Sequence, residues 1–186
     1  MLGKLATVVA IDHPELLASP VVGALMAWPA DASIGPGDVL VAPIDPDLAD
    51  TAAFCAAYDV APEVSANCVV VAGKREGKVR YAACLVLATT RADVNGVVRR
   101  RLDVRKASFA PMTEAVELTG MEFGGITPLG LPDGWPILVD AAVAATPSVV
   151  IGSGVRHSKI VLPGKALALL PGAVIVEGLA PPAGDS

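Results

Sequence analysis

The sequence predicts an α+β fold built around a mixed β-sheet. Three observations point that way. Strand-like apolar runs outnumber helical ones, and they do not alternate in the regular βαβ order of a doubly wound fold. Two of these runs, 64–72 and 78–88, flank Gly73-Lys74-Arg75-Glu76-Gly77, which marks a hairpin. Glycine (18) and proline (16) are frequent among the 186 residues, which demands many turns and short elements.

Each element follows from local pattern. Residues 14–28 carry a helical stripe of Leu16, Leu17, Val21, Ala24, Leu25 and Trp28, which Pro20 kinks or splits. Residues 38–44 read as a strand, and 46–58 as a helix with Asp45 as N-cap and Pro46 in its first turn. After the hairpin, 93–102 reads as a helix with Val94, Val97, Val98 and Leu102 on one face and Gly96 as a weak point. A short strand is expected at 104–109 and a helix at 111–119, stopped by Gly120. A glycine- and proline-rich loop occupies 124–136. Strand 137–139, helix 141–145, strand 148–151, strand 159–162, helix 165–170 and strand 173–176 complete the series. One domain over 1–180 is expected, with 181–186 as a disordered tail.

Hydrophobic content of 53% with 18% charge places the chain among ordered proteins, and 4% aromatics leaves Ala, Val and Leu to fill the core. No apolar run reaches the roughly 18–20 residues of a membrane span. The N-terminal apolar stretch ends at Ile11, before Asp12 and His13, without the pattern of a signal peptide. Cys55, Cys68 and Cys84 are odd in number and widely spaced, so neither a disulfide framework nor a zinc site is expected. They read as small hydrophobes of a reducing cytoplasm.

A net charge of −5 argues against a phosphate-rich partner until it is divided by position. Residues 1–73 hold one base and nine acids, and 107–186 hold three bases and seven acids. Residues 74–106 hold ten bases and three acids. The basic hairpin and helix, with Lys74, Arg75, Arg99, Arg100 and Arg101, form a candidate phosphate-contacting unit. On a helical wheel Arg101 falls inside the apolar face, between Val94 and Val97. The plainer alternative is a solvated helix face.

Other candidates are smaller. Gly124-Gly125-Ile126-Thr127-Pro128 suits a loop that binds through its main chain, or an ordinary tight turn. Asp140, at a strand end, can recognise an ammonium group or cap helix 141–145. Gly152-Ser153-Gly154 lacks the full pattern of a nucleophile elbow or a dinucleotide loop, yet it can present backbone N–H groups. His157 is more readily structural than a proton carrier. No metal-site spacing is present, and no cofactor is expected.

In this order, the hairpin, Lys106 to Ala110, Glu117-Leu118-Thr119-Gly120, the GxxxP loop at 124–128, Ile137 to Asp140, Ile151 to Gly154 and Lys159 to Leu162 resemble the YbaK/prolyl-tRNA-synthetase-associated family of aminoacyl-tRNA editing domains. The match runs over about 64–170, and 1–63 match less clearly. The resemblance implies a barrel-like mixed sheet with peripheral helices. It implies hydrolysis of the ester joining a wrong amino acid to tRNA, in service of translation fidelity in the cytoplasm. The partner would be an aminoacylated tRNA acceptor end, with a synthetase as a potential second partner and no membrane. Gly124, Gly125, Ile126, Thr127, Pro128, Asp140, Ser153 and Gly154 would line the aminoacyl site.

The family pattern carries a lysine early in the first hairpin strand, where this chain has Asn67. Three readings stay open. Asn67 acts as a neutral donor; Lys159 or Arg156 supplies the charge; or the chain is a catalytically silent tRNA-binding or regulatory module. A small-molecule esterase is a further class, which the basic segment disfavours, since neutral esters need no such field.

Overall fold

The computed structural model describes residues 2–29 and 33–181. The expected disordered tail falls almost wholly outside that range. Among these described residues, nine strands form two sheets. The first contains β1 (Val8–Val9), β2 (Leu40–Pro43), β7 (Val149–Gly152) and β8 (Ser158–Leu162), in the order β1-β2-β8-β7 and antiparallel throughout.

The second contains β3 (Ala66–Arg75), β4 (Lys78–Leu87), β5 (Ala107–Phe109), β6 (Ile137–Asp140) and β9 (Ala173–Val176), in the order β5-β3-β4-β6-β9. Here β4–β6 and β6–β9 are parallel, so the sheet is mixed as the sequence predicts. The described pairings do not close into a barrel. An isolated parallel bridge between Ser65 and Val150 joins the sheets just before β3. The chain enters the second sheet there instead of continuing the ladder.

The hairpin is tighter than its sequence suggests. Pairing runs to Arg75 opposite Lys78, leaving Glu76 and Gly77 as a two-residue turn with φ of 50° and 77°. Both values suit a type I′ turn, whose twist matches that of the strands. Thus Gly73 and Lys74 belong to β3 rather than to a loop.

Among the described residues, five α-helices pack around the sheets. The first, α1 (Ser19–Met26), begins at the point where Pro20 splits the expected longer helix, and a separate 3₁₀ turn covers Pro14–Leu16. Likewise 46–58 divides into a 3₁₀ turn (Pro46–Leu48) and α2 (Thr51–Tyr58), with Asp45 accepting from the Asp47 amide. The 93–102 helix opens as a π turn over Val94–Val98 before α3 (Arg99–Leu102). The Asp93 carboxylate folds back onto the Gly96 and Val97 amides, and a Cβ at Gly96 would strike it. A π turn advances each residue by less than the helical ~100°, so Arg101 rotates off the apolar face and is exposed.

The last two helices, α4 (Met112–Thr119) and α5 (Ala141–Ala145), match expectation, and Gly120 closes α4 at φ 66°. The predicted helix at 165–170 is a 3₁₀ segment, Gly164–Leu169. Strand 104–109 shortens to β5.

Three apolar clusters stabilise this frame. One lies between the sheets around Leu85, Ile137, Ile151, Ile160 and Leu167. A second sits under the π turn and α3, around Val71, Cys84 and Leu102. The third surrounds Phe54, Ala42 and Val161 beneath α2. Cys84 is buried, while Cys55 and Cys68 are partly so. Burial pushes the Cys84 thiol up to about 12 and raises Cys68 further, which suits inert packing.

Candidate functional site

A free edge of β3 creates the site. Along its whole length β3 pairs with β4, but β5 covers only Val71–Gly73. The Ala110 amide also donates to the Val70 carbonyl, so residues 66–69 present one uncovered edge, and the first sheet faces it across the Ser65–Val150 bridge. A cavity of about 390 Å³ lies there. Its walls include Asp50, Thr51, Asn67, Phe109, Gly124, Ile126, Gly152 and Lys159.

Two polar side chains are tethered to one short segment. Thr51 Oγ1 donates to Asn67 Oδ1 at 2.7 Å, so the Asn67 amide oxygen is engaged and its Nδ2 donors are not used in this contact. Lys159 Nζ donates to the Ala49 carbonyl at 2.9 Å and lies 5.3 Å from the Phe54 ring centroid. Ala49 and Thr51 flank Asp50, the residue before α2, so the segment holds Asn67 from β3 and Lys159 from β8 against one pocket. Lys159 is only 8% exposed. Burial, followed by the neighbouring Arg156 guanidinium, pulls its pKa below the usual lysine value, while Asp50 and Cys55 oppose this more weakly.

The loop Gly124 to Pro128 is a backbone wall. Gly124 has φ 79°, a conformation that favours glycine, and Arg156 Nη1 lies 2.5 Å from where a Cβ would be. At Gly125 a Cβ would meet the Val155 backbone. Arg156 bridges the rim: its guanidinium donates to the Phe123 and Pro46 carbonyls, and it lies 3.8 Å from Asp50. The backbone N–H of Arg156 donates to the Glu122 carboxylate at 2.7 Å.

The structure brings together only part of the expected site. Asn67, Gly124 and Ile126 line the cavity, and Gly125 supports them. Thr127 is fully buried, and its Oγ1 is the single buried side-chain polar atom without a partner among the described residues. Pro128 faces a different, larger cleft of about 740 Å³ beside Trp28, Trp135 and Leu170, where Asp133 is the sole ionisable lining residue among the described residues. The smaller cavity is the one that holds convergent polar groups, Thr51, Asn67 and Lys159.

Asp140 lies apart, because its carboxylate accepts from the Ala142 and Ala180 amides, both at 2.9 Å, and so ties α5 to the chain after β9. Ser153 is buried, hydrogen-bonded to Ser158 and to the carbonyls of Val155 and Ser158. Gly154 packs against Ala18 and Met121, and its amide donates to the Gly125 carbonyl at 2.7 Å. Ser153 and Gly154 therefore brace the loop from behind and do not face the cavity. His157 contacts the Glu15 carbonyl, away from the pocket.

The basic residues form a separate region. Lys74 lies seven residues along β3 from Asn67, about 23 Å at ~3.3 Å per residue. Asp103 pairs with both Arg75 (2.8 Å) and Arg80 (3.1 Å), which withdraws part of the positive charge. Arg99 Nε donates to the Asn95 carbonyl, while Arg100 and Arg101 are exposed. All three arginines also complement the C-terminal end of α3.

Sequence reasoning did not single out Thr51, Phe109, Met112 or Phe123. The last three are more than half exposed, at 60%, 53% and 53%, and all line this cavity. With so few aromatics in the chain, two Phe at one rim were a signal worth reading. Among the described residues no three His, Cys, Asp or Glu side chains gather as a metal site. No helix is long and apolar enough to cross a membrane, among the described residues.

Fold and pocket together place the chain in a class of α+β domains that present a main-chain loop to a half-open polar cleft. The family model described as aminoacyl-tRNA editing domain matches residues 45–170, and the chain belongs to that family. Among solved structures it is similar to one described as a candidate trans-editing enzyme for prolyl tRNA synthetase. That pair shares 24% identity with a TM-score of 0.70, covering 86% of this chain and 94% of the other. It is also similar to a hypothetical protein at 20% identity and TM-score 0.67, covering 76% and 90%. No curated protein matches the sequence.

Proposed function

We propose that the chain is an aminoacyl-tRNA deacylase acting in trans, hydrolysing the ester of mischarged tRNA in the cytoplasm. One observation carries this reading: every residue lining the 390 Å³ cavity lies within the segment matched to the editing-domain family. Coverage of nearly the whole candidate trans-editing enzyme adds support.

In this reading the aminoacyl group enters between β3 and the Gly124 loop. Main-chain groups of the loop and the Asn67 amide orient the ester. Water attacks the acyl carbon, the carbonyl oxygen takes up charge, and the ribose oxygen leaves with a proton. The neighbouring ribose hydroxyl helps to hold that water. Most of the acceleration comes from positioning and from dipoles set in advance. Phe109, Met112 and Phe123 offer the terminal base an apolar rim on which to stack. The basic hairpin and π–α3 segment contact phosphates farther along the acceptor stem.

The neutral side chain of Asn67 favours a second reading, a silent tRNA-binding module. Incubation with a panel of mischarged tRNAs and free aminoacyl esters separates the two. Hydrolysis of a tRNA-linked ester supports the deacylase. Salt-sensitive tRNA binding with no hydrolysis anywhere in the panel supports the silent module.

A further inference from the structure

We infer that Lys159 is a catalytic residue whose ammonium receives the negative charge developing on the ester carbonyl oxygen; this rests on the deacylase reading. The argument begins with an imbalance of charge inside the pocket. Lys159 is 8% exposed, it lines the cavity, and among the described residues its one side-chain hydrogen bond goes to a neutral carbonyl, that of Ala49. An ammonium has three donors, so two remain for something else.

Its surroundings do not neutralise it. The groups facing it are Arg156, Asp50, Cys55 and the Phe54 ring. Asp50 is the one carboxylate among them, it is mostly exposed, and it lies 3.8 Å from Arg156. The Cys55 thiol is held neutral by burial. A cation removed from water without a counter-ion is costly, and chains retain one where a ligand supplies the opposite charge. The lowered pKa of Lys159 records that same cost.

Position then selects the anion. Ala49 and Thr51 hold Lys159 and Asn67 against one cavity from two different strands. A group oriented by Asn67 and the Gly124 loop meets the ammonium from the β8 side. The ester carbonyl is the part of the substrate that acquires charge only during reaction. As water oxygen bonds to the acyl carbon, the carbonyl π pair moves onto oxygen. That pair returns as the bond to the ribose oxygen breaks, and the proton lost by water ends on the ribose. Lys159 stays charged throughout and exchanges no atom.

The test is Lys159→Met, assayed on a mischarged tRNA that the wild-type protein clears, with kcat and KM separated, pH profiles recorded and thermal unfolding followed in parallel. The expected result is a kcat about 100-fold or more lower with KM little changed, as for loss of an oxyanion donor. Wild-type kcat should fall as pH rises through the lowered lysine pKa, and that limb should vanish in the variant. Tm should rise, because the uncompensated charge is gone. Unchanged kcat, or a raised KM with kcat intact, overturns the inference. So does a lower Tm with both kinetic constants intact, which would make Lys159 a structural tie to Ala49. Wild-type protein that clears no substrate would instead refute the deacylase reading itself.

Discussion

Gly152→Ala tests whether the pocket is held open by close backbone contact. Gly152 ends β7, lines the cavity and pairs with Lys159 across the β7–β8 ladder. Its backbone conformation admits alanine, so space is the obstacle. A Cβ would lie 2.8 Å from the Ile126 carbonyl oxygen, 3.0 Å from the Gly125 carbonyl carbon, and against the Gly125 oxygen. All three are backbone atoms of the Gly124–Pro128 loop, which cannot rotate aside as a side chain would. Overpacking of this kind costs about 1–3 kcal/mol. A chain of this size loses roughly 2–4 °C of Tm per kcal/mol, so the expected drop is about 2–12 °C.

The displaced loop must also move away from β7, so deacylation should fall more than stability explains. The assay is thermal unfolding by circular dichroism beside single-turnover ester hydrolysis. Gly23→Ala in α1 is the control: nothing lies within 4 Å of its Cβ, and it should gain about 0.5–1 kcal/mol. Gly152→Ala with wild-type Tm and wild-type hydrolysis would refute the claim that these glycines set the pocket's shape.

Thr127→Val should stabilise the fold by about 1 kcal/mol in urea unfolding, since the buried hydroxyl has no partner. Asp140→Ala should cost about 1–2 kcal/mol in the same measurement, because two part-buried amides, one of them at the start of α5, lose their acceptor. Arg99→Glu with Arg100→Glu should weaken tRNA binding and flatten its salt dependence, read by filter binding between low and moderate salt. Stability should depend on alkaline pH through Lys159. Its folded pKa lies below the ordinary 10.5, so the unfolded chain binds more protons between those two values. Unfolding free energy should therefore rise with pH across that window in the wild type, and this rise should be absent in Lys159→Met.

Much of the fold was legible because most elements carry their own signal. Pro20 marked the break before α1, Asp45 the cap ahead of Pro46, Gly120 the end of α4, and Ile137–Asp140 a buried strand. The failures share a cause, which is a competing local interaction. The Asp93 carboxylate captures two amides and opens a π turn, which moves Arg101 to the surface. Gly164 sits against the Val143, Ala144 and Thr146 carbonyls, and the segment after it tightens to a 3₁₀ helix.

The site was half legible. Asn67, Gly124 and Ile126 could be named from motif order, since these residues are local to the motifs. Lys159 was named only as one of two alternative sources of charge; it reaches the pocket from the other sheet, Thr51 and Asp50 from the start of α2, and no periodicity encodes that meeting. Asp140 and Ser153 had plausible chemistry but belong to the scaffold in this fold. The charge division by segment marked a basic surface, yet it could not show that Asp103 engages two of its arginines or that β3 carries it away from the pocket.

The most direct test of the whole account is amino acid release from mischarged tRNA under single-turnover conditions, with the wild-type protein in excess. For at least one amino acid–tRNA pairing, the observed rate should exceed spontaneous ester hydrolysis and saturate with protein concentration. Rates equal to buffer across the panel, with tRNA still bound, would contradict it.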